Sequence, residues 1–169
     1  MSAAAVYLQD VQLQFTRLKK LAEDALAQVS DEELLVTLDP ESNSLAIIVK
    51  HMAGNLRSRF TDFLTSDGEK PDRNRDGEFE IDGTPSREAV MADWERGWSV
   101  LFETLDGLTE DDPLLEVTIR GESLSVIQAL DRQMVHHAYH VGQIVFLAKH
   151  FRSTSWRNLS IRRRRSPSA

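Results

Sequence analysis

The chain has 169 residues, of which 41% are hydrophobic and 28% are charged, a balance that fits one soluble, globular domain of ordinary size. It contains no cysteine, which excludes disulfides, thiolate metal sites and a cysteine nucleophile. The net charge of −7 is uneven, because residues 1–150 carry 14 basic and all 27 acidic residues, whereas residues 151–169 carry six arginines. We therefore expect the body of the chain to repel nucleic acid and anionic membranes.

The two ends of the sequence indicate where the protein resides. The N-terminal sequence MSAAAVYLQDVQLQF lacks the basic region and apolar run of a signal peptide, and no window approaches the roughly 18 apolar residues that span a bilayer. We expect a cytoplasmic protein without a membrane partner. The C-terminal sequence IRRRRSPSA is the only segment that could attract nucleic acid. We interpret it as a solvated tail over 162–169 that follows one domain over 1–161.

The first two predicted elements are helical. Apolar side chains recur at helical spacing over residues 4–28, without an interrupting glycine or proline, and predict the first long helix. Ser30 followed by Glu33 is a capping-box pattern, which predicts a short helical turn over the sequence DEELL.

A second long helix and a loop follow. The helix is predicted to begin at Asn43 or Ser44, both good N-cap residues, and to run to about residue 64 with His51 near its middle. Residues 66–84 are almost free of aliphatic side chains and rich in glycine, aspartate and arginine. They predict a long loop that could act as a lid over a site.

A short extended segment is predicted between the last two long helices in the sequence. The third helix is predicted to have Thr84 as its N-cap and Pro85 at its first position. Residues 114–120 contain β-branched residues in partial alternation and predict a short strand. The fourth helix is predicted to begin at Ser123 or Ser125 and to run to about residue 150. Four long helices with such connections are typical of an up-and-down bundle.

Four of the five histidines lie in the fourth predicted helix, and two of them have the spacing of metal ligands. His136 and His140 are one helical turn apart, so both imidazoles can face one point. The spacing alone is a weak indication, because a histidine in an apolar helix is more often a hydrogen-bonded core residue. A third ligand is needed, and His51 is the remaining histidine on another core helix. Three histidines and water would form an open site that suits Zn, Ni, Fe or Cu.

Two segments resemble the DinB/YfiT-like superfamily and, more narrowly, an uncharacterised bacterial branch of it. They are NSLAIIVKHMAGNLRSRFTDFLTSDGE and MVHHAYHVGQIVFLAKHF, in which the histidine pair is followed by Gly142 and Gln143. The resemblance implies an all-α, up-down-down-up four-helix bundle, with a long loop between the second and third helices, that forms a homodimer. It also implies a divalent metal ion held by His51, His136 and His140.

The resemblance also implies a range of functions. Characterised members include metal-dependent transferases that use low-molecular-weight thiols such as bacillithiol or mycothiol, and a maleylpyruvate isomerase. We expect one bound divalent ion, Zn or Ni before others, and a metal-dependent thiol transferase or hydrolase acting on a small electrophile. The alternative is a non-catalytic, metal-stabilised stress-response or binding module of unknown ligand.

Three polar residues are predicted to surround the histidines without binding the metal. Asn55 lies one helical turn after His51 and could line the pocket or the surface. His137 points about 100° away from His136 and is interpreted as a neighbour of the site or an interface residue. Gln143 belongs to the motif that follows the histidine pair.

Overall fold

The computed structural model describes residues 1–160, and most of them are helical. The helices are α1 (Ala3–Leu26), α2 (Asp31–Leu35), α3 (Leu45–Phe60), α4 (Arg87–Gly107) and α5 (Val126–Arg152). Two strands, β1 (Glu116–Ile119) and β2 (Glu122–Ser125), and two 3-10 helices, Asp76–Phe79 and Ser153–Ser155, complete the described elements. Within residues 1–160, no helix is both long and apolar enough to cross a membrane. The predicted tail over 162–169 lies outside the described residues.

A serine begins each of the four long helices. The side-chain oxygens of Ser2, Ser44, Ser86 and Ser125 each accept a hydrogen bond from the backbone N–H three residues later. Such caps satisfy one of the amides that a helix start leaves without an intrahelical partner. The capping box predicted for Ser30 and Glu33 is confirmed. Ser125 and Gln128 form a second one at the start of α5.

Two predicted helix boundaries are wrong. α3 ends at Phe60 instead of near residue 64, because Asp62 adopts a φ of 49° and the following amides turn back to its carbonyl oxygen. α4 begins after Ser86 instead of Thr84. The Ser86 hydroxyl caps the helix, so Pro85 lies outside it and not at its first position.

The predicted extended segment is one arm of a hairpin. β1 lies within residues 114–120 and pairs antiparallel with β2. The turn between them is formed by Arg120 and Gly121, whose φ angles of 55° and 74° are those that a two-residue hairpin turn requires. Ser123 lies in β2, so Ser125 is the residue that starts α5.

The core lies between α1, α3, α4 and α5. α1 packs mainly on α5 and α3 mainly on α4, while α3 also contacts α5. α3 is buried on nearly every side, which places His51 in the interior. The largest fully buried apolar side chains are Phe15, Leu26, Leu34, Leu45, Met52, Leu56, Trp94, Trp98, Leu101, Leu130 and Ile144.

A glycine allows α4 to cross α3 closely. A Cβ atom at Gly97 would lie 2.7 Å from Cα and 3.0 Å from the carbonyl oxygen of Ala53. These are backbone atoms of a packed helix, so they cannot move aside without shifting the helix. Gly97 therefore fixes the distance between α4 and the helix that carries His51.

Candidate metal centre

Three histidines from two helices meet at one point. The ring centroids of His51, His136 and His140 are 4.7, 4.9 and 5.3 Å apart. One nitrogen atom of each ring lies within 4.8 Å of the other two, and Nε2 of His51 is 3.2 Å from Nε2 of His136. The structure thus brings together the α5 pair, which spacing predicted, and His51, which the family resemblance implied.

The outer nitrogen atoms of two of these rings have acceptors. His51 Nδ1 donates to Oε2 of Glu78 at 2.9 Å, and His140 Nδ1 donates to Oε1 of Gln143 at 2.8 Å. An imidazole that donates its Nδ1 proton carries a free lone pair on Nε2, which is the tautomer that binds metals. Within residues 1–160, the buried Nε2 of His140 has no hydrogen-bond partner.

The donor set fits a divalent first-row ion. Two nitrogen ligands of a tetrahedral zinc ion, each about 2.0 Å from it, are about 3.3 Å apart, and the Nε2 atoms of His51 and His136 are 3.2 Å apart. A buried nitrogen without a hydrogen-bond partner, such as Nε2 of His140, is unfavourable unless a ligand binds to it. In the described part of the chain, the cluster consists of three histidines and no carboxylate. Three protein ligands leave a position for a water molecule or a substrate.

Burial keeps two of these imidazoles neutral. Burial, together with the smaller effect of the neighbouring imidazoles, lowers the pKa of His136 to about 2. Burial also lowers the pKa of His140 to about 4, although the hydrogen bond to Gln143 opposes the shift. Both imidazoles are therefore uncharged near pH 7, as metal ligation requires.

Glu78 is one of two residues of this site that sequence reasoning missed. It lies in the 3-10 helix Asp76–Phe79, within the segment predicted to be a polar loop, and only 6% of it is exposed. Burial alone would raise the pKa of Glu78, but hydrogen bonds from His51 and Arg73 and the charge of Arg73 lower it. The carboxylate therefore stays ionised beside His51. No spacing rule links two residues that are 27 positions apart, one on a helix and one in a loop.

Asn55 and His137, the other predicted neighbours of the site, are both buried in the core. Asn55 is buried and accepts a hydrogen bond from Gln133, whose Nε2 also lies 3.4 Å from Nδ1 of His136. His137 is fully buried, with its ring edge-on to Trp98, so it lies inside this chain's own core and not at its surface. Its Nδ1 donates to the Gln133 carbonyl oxygen at 3.0 Å. Gln133, which was not predicted, thus connects α3 with two histidines of α5.

A cavity of about 830 Å³ lies between α3, α4 and the segment over 61–85. Its volume is that of a small-molecule pocket. Gly54, Arg73 and Glu78 line it, whereas the three clustered histidines do not. Glu78 therefore contacts both His51 and this cavity.

One comparison with known proteins identifies a family. A family model described as "Protein of unknown function (DUF1572)" matches residues 2–165. The chain belongs to this family. The DUF1572 match includes all of α3 and α5, and hence every residue of the histidine cluster. No curated protein matches the chain. The functional conclusion therefore depends on the geometry of the site.

Proposed function

We propose that this DUF1572 member binds one divalent metal ion through the Nε2 atoms of His51, His136 and His140. The observation that carries the proposal is the buried Nε2 of His140, which has no partner within residues 1–160 and lies in a cluster of three mutually close nitrogen donors. The hydrogen bonds of Glu78 and Gln143 support it, because each leaves an Nε2 lone pair available.

The proposed activity is transfer of a low-molecular-weight thiol to a small electrophile. A bound Zn²⁺ or Ni²⁺ ion supplies Lewis acidity, which lowers the pKa of a thiol or water that binds it. The chain has no cysteine, so the thiol has to come from a cosubstrate. Phe79 packs against His51 with ring centroids 4.7 Å apart, and Tyr139 packs against His140 at 4.2 Å, both in tilted arrangements. These rings limit the access of bulk water to the cluster.

The proposal includes the DinB/YfiT type of architecture. α1, α3, α4 and α5 would form its up-down-down-up bundle, with the cluster between α3 and α5. A homodimer through α5 is part of the same proposal. It is supported by Val135, Tyr139 and Phe146, large apolar side chains of α5 that are 69%, 52% and 67% exposed.

The first prediction concerns metal content. Protein purified without chelator is expected to hold close to one equivalent of Zn or Ni by elemental analysis. Replacing His51, His136 or His140 singly by alanine should lower that content at least tenfold, because two histidines bind a first-row ion weakly. His150→Ala is the matched control, since His150 is exposed near the end of α5. Unchanged metal content in His51→Ala would refute the assignment.

The proposed chemistry has its own test. The metal-loaded protein is screened for thiol transfer to small electrophiles, with and without chelator, and with His140→Ala as the inactive reference. Activity that chelator abolishes and added metal restores is expected. Activity that persists in His140→Ala would contradict a metal-dependent reaction at this site.

The cavity favours a second candidate, a non-catalytic module that binds a small molecule. None of the three histidines lines the 830 Å³ cavity, so a ligand there would not touch the metal directly. The metal would then stabilise the fold only. Co²⁺-loaded protein distinguishes the two functions: a change of its visible spectrum on addition of a thiol indicates an open coordination position, and an unchanged spectrum favours the binding module.

A further inference from the structure

Arg73 is a buried arginine in a segment that has little regular structure. Its side chain is only 5% exposed. Nε donates to Oε1 of Glu78 and Nη2 donates to Oε2, each at 2.8 Å. A guanidinium that binds both oxygens of a carboxylate fixes the orientation of the carboxylate as well as its position. Arg73 therefore determines how Glu78 faces His51.

Gly54 of α3 closes another side of the same carboxylate. A Cβ atom at Gly54 would lie 2.7 Å from Cδ of Glu78 and nearer still to Oε1. The missing side chain lets the carboxylate approach α3 closely enough to accept the Nδ1 proton of His51, one turn earlier on that helix. The carboxylate is thus confined by His51, Arg73 and Gly54.

The β1–β2 hairpin anchors the segment that carries Arg73. Oε2 of Glu69 accepts hydrogen bonds from Arg59 and Arg120 at 2.9 Å each and lies 3.5 Å from Nη1 of Arg73. The carboxylate of Asp67 accepts two backbone N–H groups of the hairpin turn, at 2.9 and 2.8 Å. A continuous chain of charged contacts therefore runs from the hairpin turn to His51.

We propose that Arg73 is a positioning residue of the metal centre, which acts through Glu78 on His51 and is itself held by the hairpin. This inference rests on the proposed metal-binding function. Groups that accept the outer N–H of a histidine ligand fix its tautomer and typically change metal affinity about 10- to 100-fold. Arg73 acts by orienting that acceptor, because its own positive charge disfavours a nearby cation.

The direction of the change in Zn²⁺ affinity distinguishes an effect of orientation from an effect of charge. Arg73→Gln removes a positive charge, so charge alone predicts tighter binding of Zn²⁺, whereas loss of orientation predicts binding about tenfold weaker. Arg73→Lys keeps the charge but loses the two-oxygen contact, so we expect it also to weaken binding. Glu78→Gln should weaken binding about tenfold. Adding Arg73→Gln to the Glu78→Gln protein should cause no further loss of Zn²⁺ affinity, because the two residues act through one contact.

The experiment uses the full chain, stripped of metal and titrated with Zn²⁺ in competition with a chromogenic chelator. Arg17→Gln is the control, since Arg17 is exposed on α1. Nitrogen-15 NMR of the histidine rings gives a second readout in metal-free protein. We expect His51 to be the Nδ1–H tautomer in the wild type and a mixture of tautomers in both Arg73 variants.

The outcomes distinguish failure of the proposed role of Arg73 from failure of the proposed metal binding. Zn²⁺ affinity equal to or above that of the wild type in both Arg73 variants, with an unchanged His51 tautomer, overturns the role of Arg73. A wild-type chain that binds no Zn²⁺ refutes the proposed function, while the tautomer measurement still tests Arg73. If the Arg73 variants do not fold by circular dichroism, Gly54→Ala displaces the carboxylate without changing charge. It should then weaken Zn²⁺ binding about tenfold, and unchanged binding would overturn the inference.

Discussion

Two glycines in the interiors of long helices have opposite surroundings. Gly97 in α4 faces the backbone of Ala53, whereas a Cβ atom at Gly142 in α5 would meet nothing within 4 Å. We expect Gly97→Ala to destabilise the protein by about 1–3 kcal/mol through overpacking. We expect Gly142→Ala to stabilise it by about 0.5–1 kcal/mol, because alanine favours a helix interior over glycine.

Urea unfolding followed by circular dichroism measures both changes. The pair controls for the chemical change itself, since both variants add one methyl group to a helical glycine. A Gly97→Ala protein as stable as the wild type would show that α3 and α4 can separate freely, and the close crossing would then have no energetic role.

Three histidines with lowered pKa values make the stability of metal-free protein depend on pH, and His137 is the one outside the proposed ligand set. Burial lowers the pKa of His137 to about 3, although its hydrogen bond to the Gln133 backbone opposes the shift. Between this value and the unfolded pKa of about 6.5, the unfolded chain binds a proton that the folded chain does not. Stability is therefore full above about pH 6.5 and falls with decreasing pH, by about 1.4 kcal/mol per pH unit for one such group.

This dependence is measurable in metal-free protein between pH 7.5 and 5.5. Urea unfolding should give a smaller loss of stability on acidification for His137→Gln than for the wild type, because the substituted side chain does not titrate. Equal slopes for the two proteins would mean that His137 does not contribute to the pH dependence.

At the scale of elements, the segment between α3 and α4 contacts the rest of the protein at several points, and its role as a lid stays a prediction. Glu78 and Arg73 are buried in it, and its first part is bound to the hairpin turn through Asp67 and Glu69. Polar composition predicted the loop but not these contacts. The hydrogen bonds that form them join parts of the chain that are distant in sequence.

The exposed face of α5 provides a prediction about assembly. If this face forms the proposed homodimer, Phe146→Glu should give a monomer by light scattering, because a charge there would be buried without a partner. Leu114→Glu is the matched control: Leu114 is 80% exposed but lies before β1, beside the N-terminal end of α5, whereas Phe146 lies near the C-terminal end of that helix. A wild-type monomer, or a dimer that Phe146→Glu leaves intact, would refute this interface.

At the scale of the whole molecule, local signals predicted more than long-range ones. Helical periodicity placed the long helices, serine caps placed the starts of α3 and α5, and β-branched residues placed β1, because such patterns act within a few residues. The boundary at Phe60 was missed because it depends on the left-handed conformation of Asp62. Gln133 and Glu78 were missed because their roles arise only when separate elements pack together.

The division of the core into two closely packed helix pairs has a further consequence. α1 packs with α5 and α3 with α4, and the histidine cluster joins the two pairs through residues as far as 89 positions apart. An ion held there would be a reversible cross-link in a chain that lacks cysteine. The free energy that holds the two helix pairs together would then increase with the free metal concentration. The gain would be about 2.7 kcal/mol at 100 times the dissociation constant of the metal. The free energy of unfolding of this chain would then depend on the supply of metal.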